Sequence, residues 1–315
     1  MPESFFVLSK ENVELAIDEV IAIAKTYDRF SKFQIFSNLV IIQSKTPWQK
    51  IAKRATFVKT AGHLLKKLSN LFLDDSYFSL LLEAKTFMCR VINLTPKKFD
   101  ATDLENAMGN MISKFSQAKV SLENPSIIIY LILIDSQGFF GFSTAFEKER
   151  HSKKTKSYPH ELDWKLSRAM INLAGFKEGD TVCDPFCGTG TTLLEAESMG
   201  IRSIGIDFDK KMCEISKRNL KESQFNSEVY NSDYKYLNKI EGRYDGIVTD
   251  LPYGRASKTS ENPEKLLHNF VSIIPKKKRL AIMCKKGTEK GLKLIPSKRY
   301  EIYRHKSLTR TILVK

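Results

Sequence analysis

Metal and disulfide chemistry have little to draw on in this sequence. It carries five cysteines, Cys89, Cys183, Cys187, Cys213 and Cys284, an odd number with no CxxC pair. That argues against a zinc ribbon and a disulfide scaffold and fits a reducing cytosol. None of the five histidines stands beside a cysteine or acid at ligand spacing, so no metal site is expected. Long apolar runs are missing too: the longest, Ile127 to Ile134, is too short to cross a bilayer. Glu3 and Lys10 flank the short apolar stretch Phe5 to Leu8, unlike a signal peptide. The expectation is a soluble, cytoplasmic, monomeric protein with no membrane association. A full dinucleotide fingerprint is absent as well. Gly188 and Gly190 are followed by Leu193, where GxGxxG needs its third glycine.

What the sequence has in excess is positive charge. Across 315 residues, 51 Lys and Arg oppose 36 Asp and Glu, a formal net charge of +15. Such an excess suits a polyanionic partner, through counterion release and steering, or simply a generally basic surface. The length allows two or three domains, and 42% apolar residues suffice for packed cores.

The stretch Gly179 to Ala196, GDTVCDPFCGTGTTLLEA, reads as strand, tight turn and helix. Glycines at such a turn permit positive φ and close approach of backbone to a ligand. The helix start adds unpaired N–H groups and partial positive charge. An ordinary turn or a dehydrogenase-type nucleotide fold would give the same GxG. The acids around it narrow the choice. A second strand, Ser203 to Ile206, ends in Asp207, about twenty residues on, where a carboxylate can hold a ribose diol. Asn231-Ser232-Asp233 ends a third strand, and Ile247 to Asp250 forms a fourth that runs into Leu251-Pro252-Tyr253-Gly254. A fifth strand over Lys278 to Met283 and a hairpin of Arg299 to His305 with Leu308 to Val314 close the region. Strands alternating with helices predict a mostly parallel sheet.

These residues resemble the motifs of class I S-adenosylmethionine-dependent methyltransferases. Asp184-Pro185-Phe186-Cys187-Gly188-Thr189-Gly190 is similar to their first motif in the form found in enzymes that methylate exocyclic base nitrogens. Asp250-Leu251-Pro252-Tyr253 is similar to their acid-Pro-Pro-Tyr loop, with leucine at the first proline. The resemblance implies an α/β, Rossmann-like domain with an antiparallel last strand and S-adenosylmethionine as cofactor. It places Asp184, Phe186, Cys187, Gly188, Thr189, Gly190 and Thr191 along the cofactor, with Asp184 toward its amino group. Asp207 would take the ribose hydroxyls and Asp233 the adenine amino group. The segment SYPHELDWKLSRAMINLAG, from Ser157 to Gly175, resembles the element before the first motif in THUMP-linked guanine methyltransferases. It would cap the methionine end of the cofactor, with Tyr158 and a helix over Asp163 to Ala174.

The N-terminal half reads as α+β. Ser4 to Leu8 is strand-like, Ser9 to Asn12 offers cap chemistry, and Val13 to Ala24 has helical spacing. Phe33 to Phe36 and Leu39 to Ile42 predict a hairpin around Ser37-Asn38, then a helix from Trp48 to Phe57 and a strand near Lys59 to Leu65. This βαββαβ order suggests a ferredoxin-like unit. Phe78 to Leu82, Thr86 to Ile92, Ile127 to Ile134 and Phe139 to Phe142 are strand-like, and Thr102 with Glu105 makes a capping-box pattern. AKVSLENPSIIIYLILID, from Ala118 to Asp135, resembles the signature of THUMP domains, RNA-binding modules of tRNA-modifying enzymes. The expected organisation is a ferredoxin-like domain at 1–70, a THUMP domain at 71–146, a basic linker at 147–162 and the methyltransferase domain at 163–315.

An exocyclic base amine is a poor nucleophile because its lone pair is delocalised into the ring. Asp250 and the Leu251 carbonyl can accept hydrogen bonds from both its N–H groups. Pro252 stiffens the loop, and Tyr253 can stack on a base flipped out of the RNA. Leucine at 251 keeps the carbonyl but puts loop rigidity in question. Basic residues in reach of RNA include Arg54, Lys59, Lys66, Lys67, the 153–156 cluster, Lys276 to Arg279 and, beside the loop, Arg255. Taken whole, the chain resembles the archaeal-type THUMP-containing tRNA guanosine N2-methyltransferases that act at position 10. The resemblance implies mono- or dimethylation of guanine N2 in tRNA. Position 6, ribosomal RNA, adenine N6, and an RNA-binding scaffold inactive without a partner stay open as alternatives. Eukaryotic relatives need a small zinc-containing activator subunit, so dependence on one is open too.

Overall fold

The computed structural model describes residues 1–68, 84–98, 100–135, 137–145, 162–252, 262–305 and 308–315. The expected strand at Phe78 to Leu82, and Tyr158, His160, Tyr253 and Arg255, lie outside these residues. The chain divides into two compact units, Met1–Lys53 with Phe57–Lys148, and Arg54–Thr56 with Glu149–Lys315.

The first unit runs β1 (Glu3–Leu8), α1 (Val13–Tyr27), β2 (Lys32–Phe36), β3 (Leu39–Gln43), α2 (Trp48–Arg54), β4 (Val58–Leu68), β5 (Thr86–Asn93), α3 (Thr102–Phe115), β6 (Lys119–Val120), β7 (Ile127–Ile134) and β8 (Gln137–Ser143). All eight strands join one sheet in the order β2-β3-β1-β4-β8-β7-β5-β6. Alternation along β7 explains how an unbroken apolar strand is used. Ile129 and Leu131 pack with Met108 and Ile112 of α3 on one face, while Tyr130, Ile132 and Ile134 join Phe5, Leu39 and Ile41 on the other.

Two local expectations fail here. The residue before α1, Asn12, sits in the left-handed region at φ 52° and makes no side-chain cap bond. Capping needs an extended backbone that aims the side chain at the first turn. The capping box at α3 does not form either. Ala101 holds the cap position, and Asp100 accepts from the Thr102 N–H at 2.9 Å. Glu105 turns instead to β5, accepting from the Val91 N–H at 2.9 Å and Arg90 at 3.2 Å. β6 pairs only with Thr86 and Phe87, so among the described residues no strand covers that edge of β5 at Val91, and a tertiary donor outcompetes the local one.

The second unit runs α4 (Trp164–Leu173), β9 (Thr181–Asp184), α5 (Thr191–Ser198), β10 (Arg202–Asp207), α6 (Lys210–Glu222), β11 (Glu228–Asn231), β12 (Gly246–Asp250), α7 (Pro263–Ser272), β13 (Arg279–Lys285), β14 (Lys298–His305) and β15 (Leu308–Val314). A 3-10 helix at Tyr234–Lys239 precedes β12. The sheet order is β11-β10-β9-β12-β13-β15-β14, with β9 to β13 parallel and β15 antiparallel to both its neighbours. The chain therefore moves outward from β9 in one direction through β10 and β11, then returns to β12 on the other side. That reversal opens a crevice at the carboxyl ends of β9 and β12. Two mainly apolar layers flank the sheet. One gathers Ile204, Ile206, Tyr234, Ile247, Leu267, Phe270 and Ile282; the other packs Cys187, Leu193, Leu194, Cys213 and Leu220. Among the described residues no helix is long and apolar enough to cross a membrane.

Candidate active site

The turn after β9 is built by backbone bonds to its neighbours. The Cys187 N–H donates to Ile206 O at 3.0 Å, tying the turn to the end of β10, and the Gly190 N–H donates to Cys187 O at 2.8 Å. Gly188 and Gly190 take φ of 51° and 88°, which glycine adopts without steric cost. At Gly190 a Cβ would also lie 2.5 Å from Ser216 Oγ of α6; at Gly188 it would meet nothing within 4 Å. One glycine thus lets α6 pack close, and the other leaves an open face over the turn. Asn219 of α6 donates to Thr189 O at 3.0 Å and holds the loop from behind. Gly190 is the cap of α5 and supplies no side-chain acceptor to its first turn. The helix is locked from its other side by a buried ion pair. Arg168 Nε of α4 donates to Glu195 Oε2 at 2.7 Å, both side chains being 2% exposed, and its Nη2 donates to Ser198 Oγ at 2.8 Å.

Three expected acids end three strands of this crevice. Asp184, at the end of β9, is buried. Its Oδ1 accepts from Thr249 Oγ1 at 2.6 Å and from the Phe186 N–H at 3.1 Å. Burial, with the nearby Asp250 charge adding to it, pushes its carboxyl up to about 7 against the pull of the Thr249, Thr192 and Phe186 hydrogen bonds. Asp184 therefore braces β9 against β12 as well as shaping the turn. Asp207, at the end of β10, accepts from the Gly188 N–H at 2.9 Å through Oδ2 and from the Asp209 N–H at 2.9 Å through Oδ1. Burial raises it, with those two backbone bonds acting the other way. One bond per oxygen leaves lone pairs for a diol. Asp250 ends β12 with its side chain 18% exposed.

The remaining expected residues fall as follows. Phe186 is half-buried, its ring 5.3 Å from Phe270 and 5.6 Å from Tyr234. Cys187, Thr189 and Thr191 are buried in the turn and first helical residue. Asp233 is exposed two residues beyond β11 and caps the 3-10 helix, accepting from the Lys235 N–H at 2.8 Å. Leu251 is 3% exposed, and its N–H donates to Met283 O at 2.9 Å. Pro252 is half-buried.

Several residues escaped sequence reasoning. Asn231 donates through Nδ2 to Asp207 O at 3.0 Å and Phe208 O at 2.9 Å, fixing the loop that carries Asp207. Phe208 itself is 45% exposed beside that acid, an apolar ring facing solvent. Thr249 carries no motif, yet from the position before Asp250 its hydroxyl donates to Asp184. Arg310 of β15, 2% exposed, donates through Nη2 to Asp250 Oδ1. The signal for Phe208 was an aromatic directly after a strand-ending acid; the others had none. Among the described residues no group of three or more His, Cys, Asp or Glu side chains is placed to hold a metal.

A switch-point crevice with this strand order, a glycine turn onto α5, a carboxylate ending β10 and an acid ending β12 define a class I S-adenosylmethionine-dependent methyltransferase. Comparison with known proteins agrees. A family model for the RMKL-like methyltransferase domain matches residues 151–302, and one for DNA methylases matches residues 1–218. A tRNA (guanine(10)-N2)-dimethyltransferase of Methanothermobacter thermautotrophicus is 32% identical over 283 residues, covering 85% of this chain and 83% of its own. One from Methanocaldococcus jannaschii is 29% identical and covers 98% of both chains. The crystal structure of TrmN from Thermus thermophilus shares the fold, with a TM-score of 0.57 at 17% identity over 100% of this chain and 99% of that one. The chain belongs to the tRNA (guanine(10)-N2)-dimethyltransferase family.

Proposed function

We propose that this chain transfers one or two methyl groups from S-adenosylmethionine to the exocyclic N2 amine of guanosine 10 in tRNA. The observation that carries the reading is Asp250, an acceptor at the end of β12 beside the cofactor crevice, joined to the Leu251 carbonyl through a residue whose N–H is pinned to Met283 O. The two relatives' names supply the base and its position.

The crevice fits the cofactor. Gly188 leaves its turn open, Asp207 keeps lone pairs for the ribose hydroxyls, and the exposed Phe208 ring offers a face to the adenine. Asp233 would accept from the adenine amino group, residues 186 to 191 would line the amino-acid portion, and Tyr158 would cover its methionine end. When bound, S-adenosylmethionine supplies an electrophilic methyl group on a sulfonium. The protein's own residues do the rest. Asp250 and the Leu251 carbonyl accept from the guanine N2–H groups and localise the nitrogen lone pair toward the methyl. Pro252 restricts the loop, and Tyr253 stacks on the flipped base. The proton lost from N2 as the N–C bond forms leaves through Asp250 or water. The first unit serves as the RNA-binding, THUMP-type module, with the division at 1–70, 71–146 and a linker at 147–162, and the enzyme works in the cytoplasm.

The test is methyl transfer from labelled S-adenosylmethionine to unmodified bulk tRNA, with nucleoside analysis and mapping of the base. N2-methylated guanosine at position 10 is the expected product, absent with Asp250→Ala while tRNA binding persists. A label at position 6 moves the target, and N6-methyladenine overturns the guanine reading. Intact cofactor binding without transfer points to a missing activator subunit or a different RNA. Loss of cofactor binding by the wild-type chain removes the enzyme reading.

A further inference from the structure

The antiparallel strand β15 brings an arginine to the catalytic end of the sheet. Its neighbour β13, and β12 beyond it, run the other way, so residues early in β15 lie level with the carboxyl ends where the site is built. Arg310 pairs with Lys285 in the β13–β15 register, while Ile312 pairs with Met283 and Met283 pairs with Asp250. Cross-strand partners share a face, as do residues two apart, so Arg310, Ile312, Met283 and Asp250 lie on one side of the sheet. Reaching from β15 across β13 to β12 spans two strand spacings, about 10 Å. Arginine has the length for this, and its planar fork fixes the direction of the bond it donates.

We propose that Arg310 is a positioning residue for methyl transfer: it holds one oxygen of Asp250 and leaves the other to accept from the exocyclic amine of the base. This rests on the reading of Asp250 as the amine acceptor. Both partners are largely removed from water, the arginine at 2% and the acid at 18% exposure. A carboxylate in such a place favours its neutral form unless a cation sits beside it, and a neutral acid offers an O–H where an acceptor is needed. Three other groups act around the pair. Burial raises Asp250, while Arg310 first and Arg304 of β14 second pull it down. The charges of Asp184 at the end of β9 and of Asp250 repel. The Cys284 thiol of β13 is pushed up to about 11 by burial and stays neutral.

The experiment is single-turnover methyl transfer to unmodified tRNA across pH, comparing wild type with Arg310→Gln, Arg310→Lys and Asp250→Asn, each checked for cofactor binding. Asp250 must be ionised, so activity falls as pH drops through its pKa, and loss of the cation moves that acid limb upward. Arg310→Gln is expected to lower the rate roughly 10- to 100-fold at neutral pH. Its acid limb should move up by about one pH unit or more, with cofactor affinity within about twofold of wild type. Arg310→Lys should restore most of the limb but not the rate, because an ammonium lacks the guanidinium geometry. A rate that falls equally at every pH, or an unchanged profile in Arg310→Gln, overturns the proposal when Asp250→Asn is inactive. An active Asp250→Asn overturns the reading of Asp250 itself. If Arg310→Gln fails to bind cofactor, Arg310→Lys carries the test: wild-type rate in that variant overturns the proposal.

Discussion

Leu251 stands at the first proline of the acid-Pro-Pro-Tyr loop that this stretch resembles, and the structure shows what leucine brings there. A proline would have no N–H, whereas Leu251 donates to Met283 O and extends the β12–β13 ladder by one bond beyond Asp250. Its side chain is buried with Leu266, Phe270 and Tyr234. Rigidity lost from the ring is thus regained from a hydrogen bond and from packing. Leu251→Pro should therefore cost stability, about 1 kcal/mol for the lost bond and about 1–2 kcal/mol for the lost apolar contact. Leu251→Ala keeps the bond and loses only packing, about 2–5 kcal/mol. Urea denaturation of the three proteins measures both. A proline variant as stable as wild type would mean that the Met283 bond adds nothing.

At the scale of elements, α4 and α5 are joined by Arg168 and Glu195, and α5 begins at the glycine turn. Removing one partner strands a buried charge, at a cost of about 3–5 kcal/mol. Glu195→Ala should lower the melting temperature by several degrees and weaken S-adenosylmethionine binding, since the start of α5 then loses its brace. A double replacement, Arg168→Met with Glu195→Leu, should recover most of the stability; calorimetric binding and melting on the two variants check this. If the single variant melts like wild type, the pair is not what holds the helices. Most of the elements themselves were legible beforehand. The strands of the second unit fall within about two residues of their expected bounds. Periodicity and punctuation are local, so a sequence displays them. The links that assemble the site are not local. Thr249 meets Asp184 across 65 positions and Arg310 meets Asp250 across 60. Nothing near Arg168 or Arg310 marks either as buried, because the acid that accepts it comes from a distant strand or helix. Glu105 makes the same point in reverse: its capping-box spacing was visible, but β5 had the better claim on it. α7 is a different kind of miss. Its signals, Asn262 as cap, Pro263 at the first position and apolar Leu266, Leu267 and Phe270, are ordinary ones that the expectations passed over.

At the scale of the whole molecule, a net charge of +15 bears on a polyanionic substrate and hardly at all on a small cofactor. On the proposed reading the two ligands should therefore respond differently to salt. Each phosphate neutralised by Lys or Arg releases condensed counterions, and log affinity then falls linearly with log salt, by roughly 0.7–0.9 per contact. Six or more such contacts would cost a factor of about 1,000 between 50 and 200 mM salt. On that reading S-adenosylmethionine would be held by hydrogen bonds and shape in a partly buried crevice, where screening is weak. The expected outcome is a steep salt dependence of the Kd for tRNA, beside a cofactor Kd that stays within about twofold. Filter binding of tRNA and calorimetry of the cofactor, on one salt series, give both numbers. A flat tRNA series would remove the basic surface as the anchor and leave recognition to stacking and base contacts. If both series were steep, the salt would be acting on the fold itself, and melting at each concentration would reveal it.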